Sequence, residues 1–192
     1  MKIVVFGLSI SSSWGNGHAT LWRGLCASLG ARGHRVVFFE RDTPYYASTR
    51  DGVCFSGCEL LLYRAWDEAL TDAQAALRDA DAAMVTSYCP DGPDAADLVL
   101  DSSARVRAFY DLDTPVTLSR LDEGHTVEYL PRQGLGAFDL VLSYTGGEAL
   151  RRLLYTLGAR RVAPLYGSVD PDVHRPAEPS HDFAGDLSYL GT

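Results

Sequence analysis

Short apolar runs alternate with helix-forming segments along most of the chain. The first run, residues 2–8 (KIVVFGL), is apolar throughout, as is typical of a strand covered on both faces. Six further runs predict strands at 35–40, 58–63, 82–87, 106–110, 139–144 and 162–165. Helical patterns fall between them at 18–32, 72–78, 94–100, 115–121 and 148–157. This alternation predicts an α/β fold with a Rossmann-like, doubly wound and mostly parallel sheet.

The amino-acid composition argues against some classes of binding partner and some cellular locations. A formal net charge of −8 argues against a nucleic-acid or anionic-membrane surface, since both attract basic proteins. No apolar stretch reaches the roughly eighteen residues that a membrane span requires, and no cleavage site follows the first run. We therefore expect a cytoplasmic protein without a transmembrane segment. The spacing of the cysteines predicts reduced thiols rather than disulfides or a metal site; they are Cys26, Cys54, Cys58 and Cys89.

The loop at residues 11–18 (SSSWGNGH) carries the strongest local signal. It joins the first strand to a helix, and ligands of such sheets bind beyond the carboxyl ends of the strands. Gly15 and Gly17 let the backbone approach a ligand, and a helix N-terminus attracts negative charge. His18, on the first helical turn, titrates in a range that suits proton removal. The structural alternative is that Asn16 caps the helix and His18 is a solvated side chain.

Asp111 and Asp113 follow a strand in the segment DLDT, which admits several interpretations. The Asp-x-Asp pair could bind a divalent metal, as in GT-A glycosyltransferases. It also partly matches the pair of haloacid-dehalogenase-type phosphatases, but these need a lysine near the phosphate, and Lys2 is the only lysine. Alternatively, Asp113 caps the helix predicted to begin at Pro115.

A second glycine turn, residues 144–148 (YTGGE), could offer backbone N–H groups to a phosphate or hydroxyl. The alternative is a tight turn with Thr145 as the helix cap. Glu40, at the end of the second strand, occupies the place of the ribose-binding acid of dinucleotide-binding folds, which makes an oxidoreductase a rival. Against that rival, the spacing Gly15-x-Gly17-x-x-Thr20 lacks the third small residue, and the loop is too long.

Several motifs together resemble one family of glycosyltransferases. Gly17-His18 and the turn RGHRV at 32–36 resemble the opening unit of GT-B-fold enzymes. The segments SSSWGNGHAT, YDLDTPVT, SYTGG, YGSVDP and YLGT, in that order, resemble the CgeB-like (spore-maturation-protein type) family across residues 2–192. The resemblance implies transfer of a sugar from a UDP-, GDP- or dTDP-sugar to a small-molecule or glycan acceptor.

The resemblance also implies roles for individual residues. His18 matches the base of inverting members, with Asp111 and Asp113 as its polar partners. No metal ligands are implied. The residues expected to bind substrate are Trp14, Gly15, Asn16, Gly17, Tyr88, Thr114, Tyr144, Thr145, Gly146 and Gly147.

The same resemblance divides the chain. Residues 1–170 correspond to the N-terminal, acceptor-side domain of a GT-B enzyme, and YGSVDP with Pro176 resembles the crossover to a second domain. Residues 171–192 then form a linker and a first strand at Leu187–Gly191 of a C-terminal domain, which would hold most of the donor nucleotide. We expect this half to bind no cofactor and to be inactive alone. If the gene ends at Thr192, a non-catalytic binding module is the remaining interpretation.

Overall fold

The computed structural model describes residues 1–168 and 170–187, in which strands and helices alternate. The strands are β1 (Lys2–Gly7), β2 (Arg35–Arg41), β3 (Cys58–Tyr63), β4 (Ala82–Thr86), β5 (Val106–Asp111), β6 (Leu140–Ser143) and β7 (Val162–Pro164). The helices are α1 (Gly17–Ala31), α2 (Pro44–Ser48), α3 (Trp66–Leu77), α4 (Gly92–Leu100), α5 (Thr114–Asp122) and α6 (Gly147–Thr156).

The strands form one sheet in the order β3-β2-β1-β4-β5-β6-β7, and every neighbouring pair is parallel. The chain moves outward from β1 in one direction through β3, then returns and moves outward in the other through β7. The predicted Rossmann-like, doubly wound fold is confirmed, as are all seven predicted strands. Because the order reverses between β1 and β4, a crevice for ligands is expected at their carboxyl ends.

Both faces of the central strand are covered, which explains its uninterrupted apolar sequence. Val4 and Phe6 point into a cluster under α3 and α4, whereas Val5 points into a second cluster under α1. Phe6 stacks on Phe39 at a centroid distance of 4.9 Å on the first face. On the other face the ring of Trp22, in α1, meets Phe38 edge-on. Two packed faces make the carboxyl edge of the sheet a firm base for loops.

Two helices differ from the sequence-based expectation. Helix α3 begins at Trp66, six residues before the predicted start, because the Trp66 ring packs against Phe6 and Tyr63 and two acidic residues occupy its first turn. Helix α2 was not predicted, since its five residues are too few to show a periodic pattern.

The segment after β7 is mostly exposed in the described residues and contains a single 3₁₀ turn at His181–Phe183. Apart from Leu187, the strand predicted at Leu187–Gly191 lies outside the described residues, so the predicted division at residue 170 stays a prediction. Within the described ranges, no helix combines the length and the apolar character that crossing a membrane demands.

Candidate functional site

The loop between β1 and α1 folds around the side chain of Glu40, at the carboxyl end of β2. Glu40 is fully buried. Its Oε1 accepts hydrogen bonds from the hydroxyls of Ser9 and Ser11, and its Oε2 accepts from the backbone N–H groups of Ile10 (2.7 Å) and Ser11 (3.0 Å). A buried carboxylate requires such donors. Both oxygens are occupied inside the loop, so Glu40 is not placed to bind a ribose, as the oxidoreductase interpretation requires.

The outer side of this loop is tied to the segment after α2. The backbone N–H groups of Asp51 and Gly52 both donate to the carbonyl of Ser11. Arg23 of α1 donates to the carbonyl of Ile10 and forms an ion pair with Asp51. The Arg23 guanidinium lowers the pKa of the Asp51 carboxyl to about 2. The loop is therefore held from both sides before it reaches the helix.

Asn16 ends the loop and caps α1. Its Oδ1 accepts from the N–H of His18 (3.0 Å), and its Nδ2 donates to the carbonyls of Ser9 and Ser12. The cap considered from the sequence is thus confirmed. Asn16 is 8% exposed and the polar atoms of its side chain bond to the backbone of the loop and of α1, so its main role is to support the backbone of the site.

The two glycines of this loop differ in their role. Gly15 has a φ of +59°, a conformation that disfavours side chains. Gly17 has no such constraint, and a methyl group there would meet no atom within 4 Å. The first glycine therefore shapes the loop, whereas the second leaves open space in front of the helix.

His18 is half-buried on the first turn of α1, and its ring stacks on Tyr88 with centroids 6.0 Å apart. Burial lowers the pKa of His18, and the negative charge of Asp113 partly offsets that effect. A lowered pKa keeps the imidazole neutral at neutral pH, which is the form that accepts a proton.

Two open clefts meet at His18. One, of about 290 Å³, is lined by Leu8, Gly15, Asn16, Gly17, His18, Tyr46 and Tyr88. The other, of about 350 Å³, is lined by Gly17, His18, Leu21, Leu112, Asp113 and Tyr144. The structure thus brings together the glycine loop, His18, Asp113, Tyr88 and Tyr144, as the sequence predicted.

Trp14 lies on the rim of the same edge. Its indole is 68% exposed and lines a neighbouring depression with Asp51. A separate groove of about 430 Å³ lies at the opposite edge of the sheet, between the ends of α3 and α4. None of the residues expected to bind substrate lines that groove.

Asp113 lies at the N-cap position of α5, yet its side chain makes no capping hydrogen bond. The carboxylate instead accepts a hydrogen bond from the Tyr88 hydroxyl at 3.2 Å and lines the second cleft. The helix starts at Thr114, one residue before the predicted start. Asp113 therefore occupies the predicted cap position, but its side chain is a polar group of the cleft and does not cap the helix.

Asp111 lies behind the cleft and not in it. Its side chain is fully buried, and Oδ1 accepts from the N–H of Asp113 (3.1 Å) and the hydroxyl of Thr117 (3.0 Å), while Oδ2 has no hydrogen-bond partner within residues 1–168 and 170–187. Burial raises the pKa of this carboxyl. Direct contact with substrate, a shared metal site and a nucleophilic role all require an accessible carboxylate, so Asp111 instead shapes the turn that presents Asp113.

Thr114 is likewise interior, which corrects its expected role in substrate binding. Its hydroxyl is fully buried and lies 2.7 Å from the Ser143 hydroxyl. Ser143 in turn bonds both the carbonyl and the N–H of Thr145. These contacts join the start of α5 to the turn after β6, which positions Tyr144 at the cleft.

The second glycine turn is shaped by two tyrosines. A Cβ on Gly146 would clash with the ring of Tyr166, and a Cβ on Gly167 would clash with the ring of Tyr144. We call this reciprocal packing the tyrosine interlock. Helix α6 begins at Gly147, with Gly146 and not Thr145 at its N-cap. Gly146 thus packs against Tyr166, a contact that the sequence interpretation missed.

No protein-family model matches the chain, and a comparison with curated proteins finds no match either. The likeness to CgeB-like glycosyltransferases therefore rests on the sequence motifs alone. The burial of Glu40 was missed at the sequence level, and Tyr46 lines the first cleft although it is not among the residues expected to bind substrate. A charged residue that ends an apolar strand was the available signal for the burial of Glu40.

Proposed function

We propose that this chain is the acceptor-side half of a glycosyltransferase that moves a sugar from a nucleotide-sugar donor to a hydroxyl group. One observation carries the proposal: His18, half-buried and with a lowered pKa, stands where two clefts meet at the carboxyl edge of the sheet. This is the placement that a general base acting on a bound alcohol needs.

In the proposed reaction, a neutral His18 accepts the proton of the acceptor hydroxyl. The acceptor oxygen forms its bond to the anomeric carbon as the bond from that carbon to the nucleoside diphosphate breaks. The diphosphate leaves with the electron pair, and the proton stays on His18. The nearby Asp113 carboxylate favours the imidazolium that forms, because an opposite charge stabilises the protonated histidine.

The pairing of nearby arginines supports assigning the acceptor, and not the donor diphosphate, to this half. Three arginines approach this edge, and each is bound to a carboxylate: Arg23 to Asp51, Arg41 to Asp91 and Arg50 to Asp42. A diphosphate is usually held by cations that are free to bind it. An uncharged alcohol needs no such cation and fits a cleft walled by Tyr46 and Tyr88.

The test uses the complete gene product. It is incubated with UDP-, GDP- and dTDP-sugars and a panel of alcohols, and release of nucleoside diphosphate is measured. We expect His18→Ala to lower turnover by about 100-fold or more. His34→Ala is the matched control, because His34 lies beyond the other end of α1, next to the amino terminus. Unchanged turnover in His18→Ala would remove His18 from the mechanism.

The same complete gene product also tests two alternative functions. A dinucleotide-dependent oxidoreductase requires saturable binding of NAD(P)H, which fluorescence titration measures; we expect none, because the Glu40 carboxylate is occupied. If the complete gene product consumes no nucleotide-sugar with any acceptor, the non-catalytic binding module is the better description.

A further inference from the structure

Tyr88 has a backbone conformation that its residue type disfavours. In the ranges 1–168 and 170–187 it is the one non-glycine residue with a positive φ, at +64°. A bulky residue in this region is strained, and such strain persists only where surrounding contacts enforce it. Tyr88 lies two residues after the end of β4, at the crevice where the strand order reverses.

The strained backbone places the Tyr88 side chain against both candidate groups of the site. Its ring lies between the rings of His18 (6.0 Å between centroids) and Tyr129 (5.0 Å). Its hydroxyl donates to Oδ2 of Asp113 at 3.2 Å. Tyr129 is itself fixed, because its hydroxyl bonds Thr117 at 2.7 Å. One side chain therefore connects the imidazole, the carboxylate and the packed interior.

We propose that Tyr88 is a positioning residue: its ring orients the His18 imidazole, and its hydroxyl holds the Asp113 carboxylate and offsets part of its charge, which favours the neutral form of His18. This role rests on the proposed function, in which a neutral His18 is the base.

The titratable groups that face His18 across the two clefts are Asp113, Tyr46, Tyr88 and Tyr144. Burial raises the pKa of both Tyr46 and Tyr88, so these two phenols are neutral at neutral pH. Asp113 is then the charge that acts on His18, and the Tyr88 hydroxyl is the donor that the structure shows on its carboxylate. Removing this donor should leave the carboxylate free to attract a proton to His18.

The first experiment is an NMR titration of the histidine rings of this chain, with His18 assigned by its loss in His18→Gln. Tyr88→Phe keeps the ring and the backbone but removes the hydroxyl. We expect the titration midpoint of His18 to rise by at least a few tenths of a pH unit. Tyr155→Phe is the matched control, since the Tyr155 hydroxyl bonds Glu148 on the exposed side of α6 and should leave His18 unchanged.

A double-variant cycle separates this role from general support of the fold. Asp113→Asn should lower the His18 midpoint, and adding Tyr88→Phe to it should then cause no further change, because the hydroxyl acts through the carboxylate. The proposal is overturned if Tyr88→Phe alone leaves the midpoint where it is in wild type. A rise that persists in the Asp113→Asn background overturns it as well.

The titration needs neither donor nor acceptor, so the two proposals fail separately. A raised midpoint in Tyr88→Phe, together with no consumption of nucleotide-sugar by the complete gene product, leaves the effect of Tyr88 on His18 standing and refutes the transferase. Sugar transfer that depends on His18, with an unmoved midpoint, refutes the positioning role alone.

Discussion

The support that Glu40 gives to the first loop can be tested by comparing two substitutions. Four donors converge on its carboxylate, and they are of two kinds. The hydroxyls of Ser9 and Ser11 can rotate and become acceptors, whereas the N–H groups of Ile10 and Ser11 can only donate. In Glu40→Gln the amide oxygen can face the N–H groups and the amide NH₂ can face the hydroxyls. This variant therefore keeps its hydrogen bonds and loses mainly the extra strength that the negative charge gives them.

We expect Glu40→Gln to cost about 1–2 kcal/mol, the difference between charged and neutral hydrogen bonds at such a site. Glu40→Ala leaves two buried N–H groups without partners, each worth about 1–3 kcal/mol, and opens a cavity, so a loss of about 4 kcal/mol follows. For a chain of this size, each kcal/mol of lost stability lowers the unfolding temperature by roughly 2–4 °C. The unfolding midpoint should therefore fall by about 2–8 °C in Glu40→Gln and by about 8–16 °C in Glu40→Ala.

Thermal unfolding followed by circular dichroism measures both changes. Glu59→Gln is the control, because Glu59 forms an exposed ion pair with Arg35 and such pairs contribute little. The reasoning is refuted if Glu40→Ala unfolds at the wild-type temperature, or if Gln costs as much as Ala. In the latter case the charge itself, and not the satisfaction of the N–H groups, would stabilise the loop.

Two further predictions concern the same edge. Gly17→Ala should unfold at a temperature within a few degrees of wild type, since its methyl group meets no atom within 4 Å. It should nevertheless reduce sugar transfer, because Gly17 lines both clefts and the added methyl group would take up space there. Unchanged transfer would exclude close approach of a substrate to residue 17. The pKa of Asp51 is lowered in the folded chain, so its pairing with Arg23 stabilises the protein above the ordinary carboxyl range and loses that effect as the pH falls toward about 2. Asp51→Asn should lower the free energy of unfolding by at most about 1 kcal/mol at neutral pH, because solvent screens this ion pair. In urea unfolding at falling pH, the stability difference between this variant and wild type should vanish. A difference that does not change with pH would show that the ion pair is not its source.

Strands and helices were predictable because each has a periodic signature that survives in the sequence. Parallel strands covered on both faces read as uninterrupted apolar runs, as in β1 and β2, and Gly33 and Gly158 mark the ends of α1 and α6 with positive φ angles. The short helix α2 lacked such a signature.

The composition of the site was only partly predictable, for a different reason. Loops at the carboxyl edge follow from the alternation of elements, but whether a polar side chain turns outward or inward depends on partners distant in sequence. Asp113 faces the cleft, whereas Asp111 and Thr114 turn inward to groups on α5 and β6. The donors that bind Glu40 likewise lie in a loop about thirty residues earlier, so the residues next to Glu40 in the sequence do not identify them.

The tyrosine interlock connects residues 166–167, which follow β7, to Tyr144 in the lining of the second cleft. Tyr166 packs against Gly146, and Gly167 packs against Tyr144. Movement of residues 166–167 would therefore open contacts beside the Tyr144 phenol. A displacement of residues 165–168 would remove backbone that packs against Tyr144, a side chain that lines the second cleft together with Asp113.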